Sequence, residues 1–266
     1  EGGQKAALDI SADHILVADA QAMPGEYNGI VLTDDQLNGL DVGSLLLGGR
    51  RTASEKGVSV EVRADTVEVA GNVALTHDEI LLAALESINV DSGASIQSTA
   101  PATHNEKQIS ITHGGALLGV SNQRITAIQR GSESIQSNVT LGAGAVLTSA
   151  DSAFMDGTGT TTLDGTLQAP GAVLLGAGKI SLGAPEDGSL VLSQSALNSL
   201  GKVELLALQA KQSITLHDGV DVIGKQVQLA APIVRGELSA NGVASIQAET
   251  LEVRGSDAAA SLLEGS

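Results

Sequence analysis

The sequence predicts an all-β solenoid, a stack of coils of about 20 residues each, and three observations carry that expectation. First, a phrase recurs. Ser87–Ile96 reads Ser-Ile-Asn-Val-Asp-Ser-Gly-Ala-Ser-Ile; kindred phrases stand at Asn138–Leu147 and Ser213–Val222, and a looser one at Ile109–Leu117. Each alternates apolar and polar residues, as a half-buried strand does, and then bends at glycine. Second, Leu192, Ser193, Leu197, Asn198, Leu200, Leu205 and Leu206 repeat Leu32, Thr33, Leu37, Asn38, Leu40, Leu45 and Leu46 without a gap, 160 residues later. Eight coils of about 20 residues would span that distance. Third, aromatics are 1% of the chain (Tyr27 and Phe154, no Trp) against 42% hydrophobic residues and 32 glycines. Medium-sized aliphatics must therefore fill a narrow, layered interior.

The elements follow in order. Leu8–Ala18 supplies two short strands, and Met23–Gly29 is loop by its Pro and Gly content. The leucine phrase from Gly29 to Gly49 gives strand, a single helical turn around Leu37 and Leu40, then strand. From Gly57 the alternation is clearest, with Val58, Val60, Val62, Val67 and Val69 on one side and Glu61, Arg63 and Glu68 on the other. Thr76–Glu79 has the letters of a capping box, so Leu75–Ser87 in isolation fits a helix, but its neighbours all favour strand. Ala100–Gln108 and Ser149–Thr161 read as loops. Short strands continue through Val253. Short strands at this spacing also suit a sandwich, yet the hairpin signal Asn-Gly occurs only at residues 28, 38 and 241. Stacked at about 4.8 Å, 12 or 13 coils would make a rod of roughly 60 Å, because one turn cannot bury its own apolar face. The expected organisation is one segment over 1–266, with its core at 8–255 and a tail at 256–266.

Composition removes several functions. Without cysteine there is no disulfide, thiolate metal site or thiol nucleophile. A net charge of −17, from 14 basic and 31 acidic residues, disfavours nucleic acid and anionic membrane surfaces. No apolar run approaches the ~20 residues of a membrane helix, and no basic-apolar signal segment opens the chain at Glu1. The chain starts mid-phrase, as a piece of a larger protein would.

The candidate chemistry is sparse. His77-Asp78-Glu79 has acid–base residue types, but consecutive strand residues point to alternate faces. Asp91 with His104 and His113 lacks close histidine spacing for a metal. Asp151, Asp156 and Asp164 lie near Gly157 and Gly159, without the spacing of a calcium loop. Gly142-Ala-Gly144 and Gly176-Ala-Gly178 have no Walker lysine and read as corners. No cofactor, metal or catalytic residue is expected.

The paired leucine phrases, together with Gly48-Gly49-Arg50-Arg51, Asp78–Ala83 and the Ile-x-Val-x-x-Gly-Ala-x-Ile phrases, resemble the shaft of filamentous-haemagglutinin-like exoproteins. That resemblance implies a right-handed parallel β-helix and a non-catalytic segment of a bacterial adhesin, secreted or held at the cell surface by a two-partner pathway. It implies an outer-membrane transporter as partner, through a domain not in this chain, and a host or bacterial surface receptor. The family's Asn-Pro-Asn secretion motifs and the Arg-Gly-Asp triad of some adhesins are absent. Contact would come from loops carrying Arg50, Arg51, Lys56, His104, Lys107, Phe154 and Met155. Two alternatives stand beside it: the stalk of a contact-dependent toxin, and a β-helix polysaccharide lyase or hydrolase built on paired carboxylates.

Overall fold

The computed structural model describes residues 5–103, 105–112, 114–131 and 135–255. In chain order the first strands are β1 (Ala6–Ile10), β2 (His14–Ala18) and β3 (Ile30–Thr33), followed by helix α1 (Asp34–Asn38). Next come β4 (Val42–Leu47), β5 (Gly49–Ser54), β6 (Gly57–Val62), β7 (Thr66–Val69), β8 (Ala74–His77) and β9 (Glu79–Ala84). The middle holds β10 (Ser87–Val90), β11 (Ser95–Ser98), β12 (Glu106–Thr112), β13 (Ala116–Ser121), β14 (Arg124–Arg130), β15 (Asn138–Leu141) and β16 (Val146–Thr148). Then follow β17 (Ser152–Asp156), β18 (Thr161–Leu163), β19 (Thr166–Gln168), β20 (Ala172–Leu182), β21 (Leu190–Leu192) and helix α2 (Gln194–Leu200). The chain closes with β22 (Leu205–His217), β23 (Asp221–Ala230), β24 (Ile233–Glu237) and β25 (Ser245–Arg254).

The expected solenoid of uniform coils, and with it the single right-handed parallel β-helix, is overturned. The strands form four separate sheets of 11, 6, 4 and 4 strands, two of them wholly parallel and two of mixed sense. In the 11-stranded main sheet β13 runs antiparallel to both β9 and β17, and β5 pairs antiparallel with β6 in another. Nor is the interval between paired strands constant: Ile15 faces Ile30, Ser87 faces Thr66, and His14 also faces Thr66. Glycines at two turns explain the departure. Gly114 and Gly115 have φ of 77° and 113°, where a β-carbon is strained, and they turn the chain from β12 into a reversed β13. Gly48, at φ 90°, sends β4 into the β5–β6 hairpin; a β-carbon there would meet the Ala83 carbonyl oxygen.

Strand order in the main sheet is β1-β4-β9-β13-β17-β20-β22-β23-β25, with β21 paired to β20 and β24 to β22 beside that path. Its inner face meets a six-stranded sheet (β18-β15-β10-β7-β2-β3) and a four-stranded one (β19-β16-β11-β8) across one aliphatic core. Its outer face is covered by the remaining sheet, β14-β12-β6-β5, across a second core. Alternate residues serve the two cores. Leu45 and Leu47 point inward and Leu46 outward; Ile80 and Leu82 go inward and Leu81 outward; Met155 goes inward and Phe154 outward. A sheet buried on both faces needs continuous apolar runs, and Leu45-Leu46-Leu47, Ile80–Ala84 and Ala172–Leu175 are such runs. Burying one such leucine contributes about 1.5–3 kcal/mol.

The two leucine phrases fold alike. Thr33 and Ser193 cap α1 and α2 through their hydroxyls, and Leu37 and Leu197 are buried beneath the helices. Polar helix side chains then occupy strand backbone: Asn38 bonds the Ala74 carbonyl and the Thr76 amide, and Gln194 bonds both backbone groups of Asp221. By this means α1 covers the otherwise open edge of β8. Leu75–Ser87 is strand, since its apolar residues fill both faces of the main sheet. Ser149–Thr161, expected as loop, contains the fully buried strand β17.

Candidate binding site at the edge of the outer sheet

The outer sheet is fastened to the main sheet by ion pairs along both of its margins. Ser44, Glu79, Ser121 and Ser152 lie opposite one another on successive main-sheet strands. Glu79 is buried and accepts bonds from Lys107 Nζ at 2.6 Å, Ser44 Oγ at 2.6 Å and Ser121 Oγ at 3.0 Å. Burial opposes its ionisation, but Lys107, Ser44 and Arg51 outweigh that and hold the carboxyl below its usual range. Arg51 also pairs with Asp9, Nε to Oδ1 at 2.5 Å. Farther along, Arg124 reaches Asp151 at 2.7 Å and Arg130 reaches Asp156 at 2.7 Å. At Asp156 the balance reverses, since complete burial raises the carboxyl despite Arg130 and Lys211. Burial and the nearby Arg130 guanidinium lower the Lys211 ammonium, against the pull of Asp156.

The described residues expected in contact loops divide three ways. Arg50 and Lys56 are exposed, on the hairpin β5–β6. Arg51 and Lys107 are instead half-buried in the ion pairs just described, because the carboxylates of Asp9 and Glu79 lie beneath them. Phe154 and Met155 are fully buried on β17, so neither offers contact surface. His104 lies outside the described residues.

The candidate chemistry is likewise absorbed or dispersed. His77 is buried with its ring nitrogens 3.2 Å from the Val42 and 3.1 Å from the Leu37 carbonyl oxygens, tying α1 and β4 to β8. Asp78 faces Lys5 at 3.7 Å while Glu79 faces Lys107, so His77-Asp78-Glu79 does not converge. Asp151 and Asp156 are held by arginines; His113, like His104, lies outside the described residues. Among the described residues no group of three His, Asp or Glu is placed to hold a metal ion.

What the sequence did not disclose is a groove. One outer-face row of the main sheet reads Leu46, Leu81, Gly119, Phe154, Leu174, Ala207, Gln228, Glu252 across successive strands. The outer sheet covers Leu46, Leu81 and Phe154 and stops at β14, which among the described residues pairs with β12 alone. Beyond that unpaired edge lies a cavity of 130 Å³ whose wall is Ile128 and Gln129 and whose floor includes Leu174, Ala207, Gln209 and Gln228. It falls short of the ~300 Å³ of a small-molecule pocket, but it accepts a few side chains of an extended chain. The signal that could have found it is the change along that row from Leu and Phe to Gln. Comparison with protein-family models, with curated proteins and with solved structures finds no match to this chain.

Proposed function

We propose that the chain is a rigid, non-catalytic scaffold segment of a secreted or surface-displayed bacterial adhesin, which engages an extended segment of its partner along the edge of β14. The observation that carries this reading is the end of the outer sheet at β14 above a main sheet that continues through β20, β22 and β23. An added strand would satisfy the unpaired backbone of β14 and set alternate side chains onto Leu174 and Ala207. The adhesin context draws support from the sequence phrases named above and from the acidic, cysteine-free composition. Glu79, held as a buried carboxylate by Lys107, favours a scaffold over paired-carboxylate hydrolysis, which needs a carboxyl free to exchange protons.

The test is to pan a phage-displayed library of linear peptides against the 266-residue chain and map the selected peptides by amide chemical shifts. Shifts should centre on β14, and Ala207→Arg should weaken binding by about tenfold or more. An empty selection, or shifts elsewhere, would sink the groove. Release of reducing sugar ends from a polysaccharide panel would sink the scaffold reading.

A further inference from the structure

We propose that the chain forms an end-to-end dimer with a second copy of itself through β25, whose last residue, Arg254, also borders the groove at β14. Strand β25 is ten residues long and, among the described residues, is the last of the main sheet and paired on one side only, to β23. The inner-face columns run into it unbroken. Ala153, Val173, Leu206, Val227 and Leu251 lie successively opposite one another, as do Met155, Leu175, Leu208, Leu229 and Val253. Exposure then jumps: Val227 is 0% and Leu229 1% exposed, whereas Leu251 is 48% and Val253 57%. Among the described residues no layer covers these core positions. Val243, at 69%, adds to the same end. At the opposite end α1 covers β8, and Met23 is the one strongly exposed large hydrophobic residue before residue 130 among the described residues.

The strand itself names its partner. In antiparallel pairing about a two-fold axis between Glu249 and Thr250, Ile246 faces Val253 and Ala248 faces Leu251 of the other copy. Gln247 faces Glu252, Glu249 faces Thr250, and Ser245 faces Arg254, so no like charges are directly opposed. All four apolar residues lie over inner-face positions of β23, Val222, Gly224, Val227 and Leu229. Along β25 these positions shift from even to odd numbers between Ala248 and Leu251, and the axis falls inside that shift. The two-fold therefore maps the irregularity onto itself and joins the two cores on one side of a continuous sheet. A head-to-tail contact would instead set ten-residue β25 against five-residue β1, whose Leu8 and Ile10 are already half-buried, and would propagate without closing.

Sedimentation equilibrium of the 266-residue chain across micromolar to submillimolar concentration should show a reversible monomer–dimer equilibrium. Leu251→Glu, at an exposed site that leaves the circular dichroism spectrum unchanged, should raise the dissociation constant by about a hundredfold, since the change enters the interface twice. Register is read with cysteines in a chain that has none. Mixed Ile246→Cys and Val253→Cys chains should form a disulfide-linked dimer under mild oxidation, and each variant alone should form far less. A chain monomeric throughout, a dimer indifferent to Leu251→Glu, or species growing beyond dimer would each overturn the proposal.

Discussion

Replacing Lys107 with methionine probes how the outer sheet is held. Lys107 Nζ sits 2.6 and 2.9 Å from the two oxygens of Glu79, with side-chain exposures of 13% and 5%. Removing one member of a buried pair costs about 3–5 kcal/mol, because the remaining charge is stranded in a poorly polarisable interior. Glu79 keeps Ser44, Ser121 and a more distant Arg51 at 3.9 Å. The expected loss for Lys107→Met therefore lies near the lower end, about 3 kcal/mol. That is a large share of the ~5–15 kcal/mol holding an ordinary domain. The double replacement Glu79→Met with Lys107→Met removes the stranded charge and should recover most of the loss, leaving Arg51 on Asp9. Urea titration of the three chains supplies the free energies. A loss under about 1 kcal/mol for the single variant, or a double variant weaker than the single, would refute the account of Glu79 as a buried anion held by Lys107.

The pH dependence has opposite signs at the two buried carboxyls. Glu79 is held below its usual range, so its stabilising contribution is present at neutral pH and disappears as pH falls below the unfolded value of 4.5 through the folded one; wild type and Glu79→Gln should converge in acid melts. Asp156 is raised, so its contribution is fully present below its unfolded value of 3.8 and lost as pH climbs through the folded one, which the difference between wild type and Asp156→Asn checks. Phe154→Ala should cost about 3–5 kcal/mol by thermal melting, since the ring fills the space that Gly119 leaves between main and outer sheets. Asn38→Ala removes two bonds to β8, costs about 1–2 kcal/mol and should raise light scattering by uncovering that edge.

The strand phrases were readable because period-two alternation needs only one covered face: Val58, Val60 and Val62 are buried and Glu61 is not. The two helical corners were readable from duplication, since a hydroxyl cap and a buried leucine recur at the same spacing. The outer sheet was not read, although its cause was in view. Leu45-Leu46-Leu47 and Ala153-Phe154-Met155 are apolar at every position, and no half-buried strand can be so. Taking Ser149–Thr161 for loop because of its Ser, Asp and Gly residues hid β17, where Asp151 just before the strand and Asp156 at its end are consumed by Arg124 and Arg130. Those pairings join residues 27 and 26 positions apart, and no local pattern announces them. The groove depends on where one sheet ends above another, a fact of tertiary placement.

The ion pairs of the outer sheet also set an order of assembly. Arg124 and Arg130 on β14 pair with Asp151, just before β17, and Asp156, at its end, both of which are synthesised later. Until Asp151 and Asp156 arrive, those guanidinium groups are best served by water, and the strand that bears them has reason to stay out of the interior. Closure of the second core at β14 thus waits on a later part of the chain, whereas Arg51 and Lys107 meet carboxylates, Asp9 and Glu79, that are made before them.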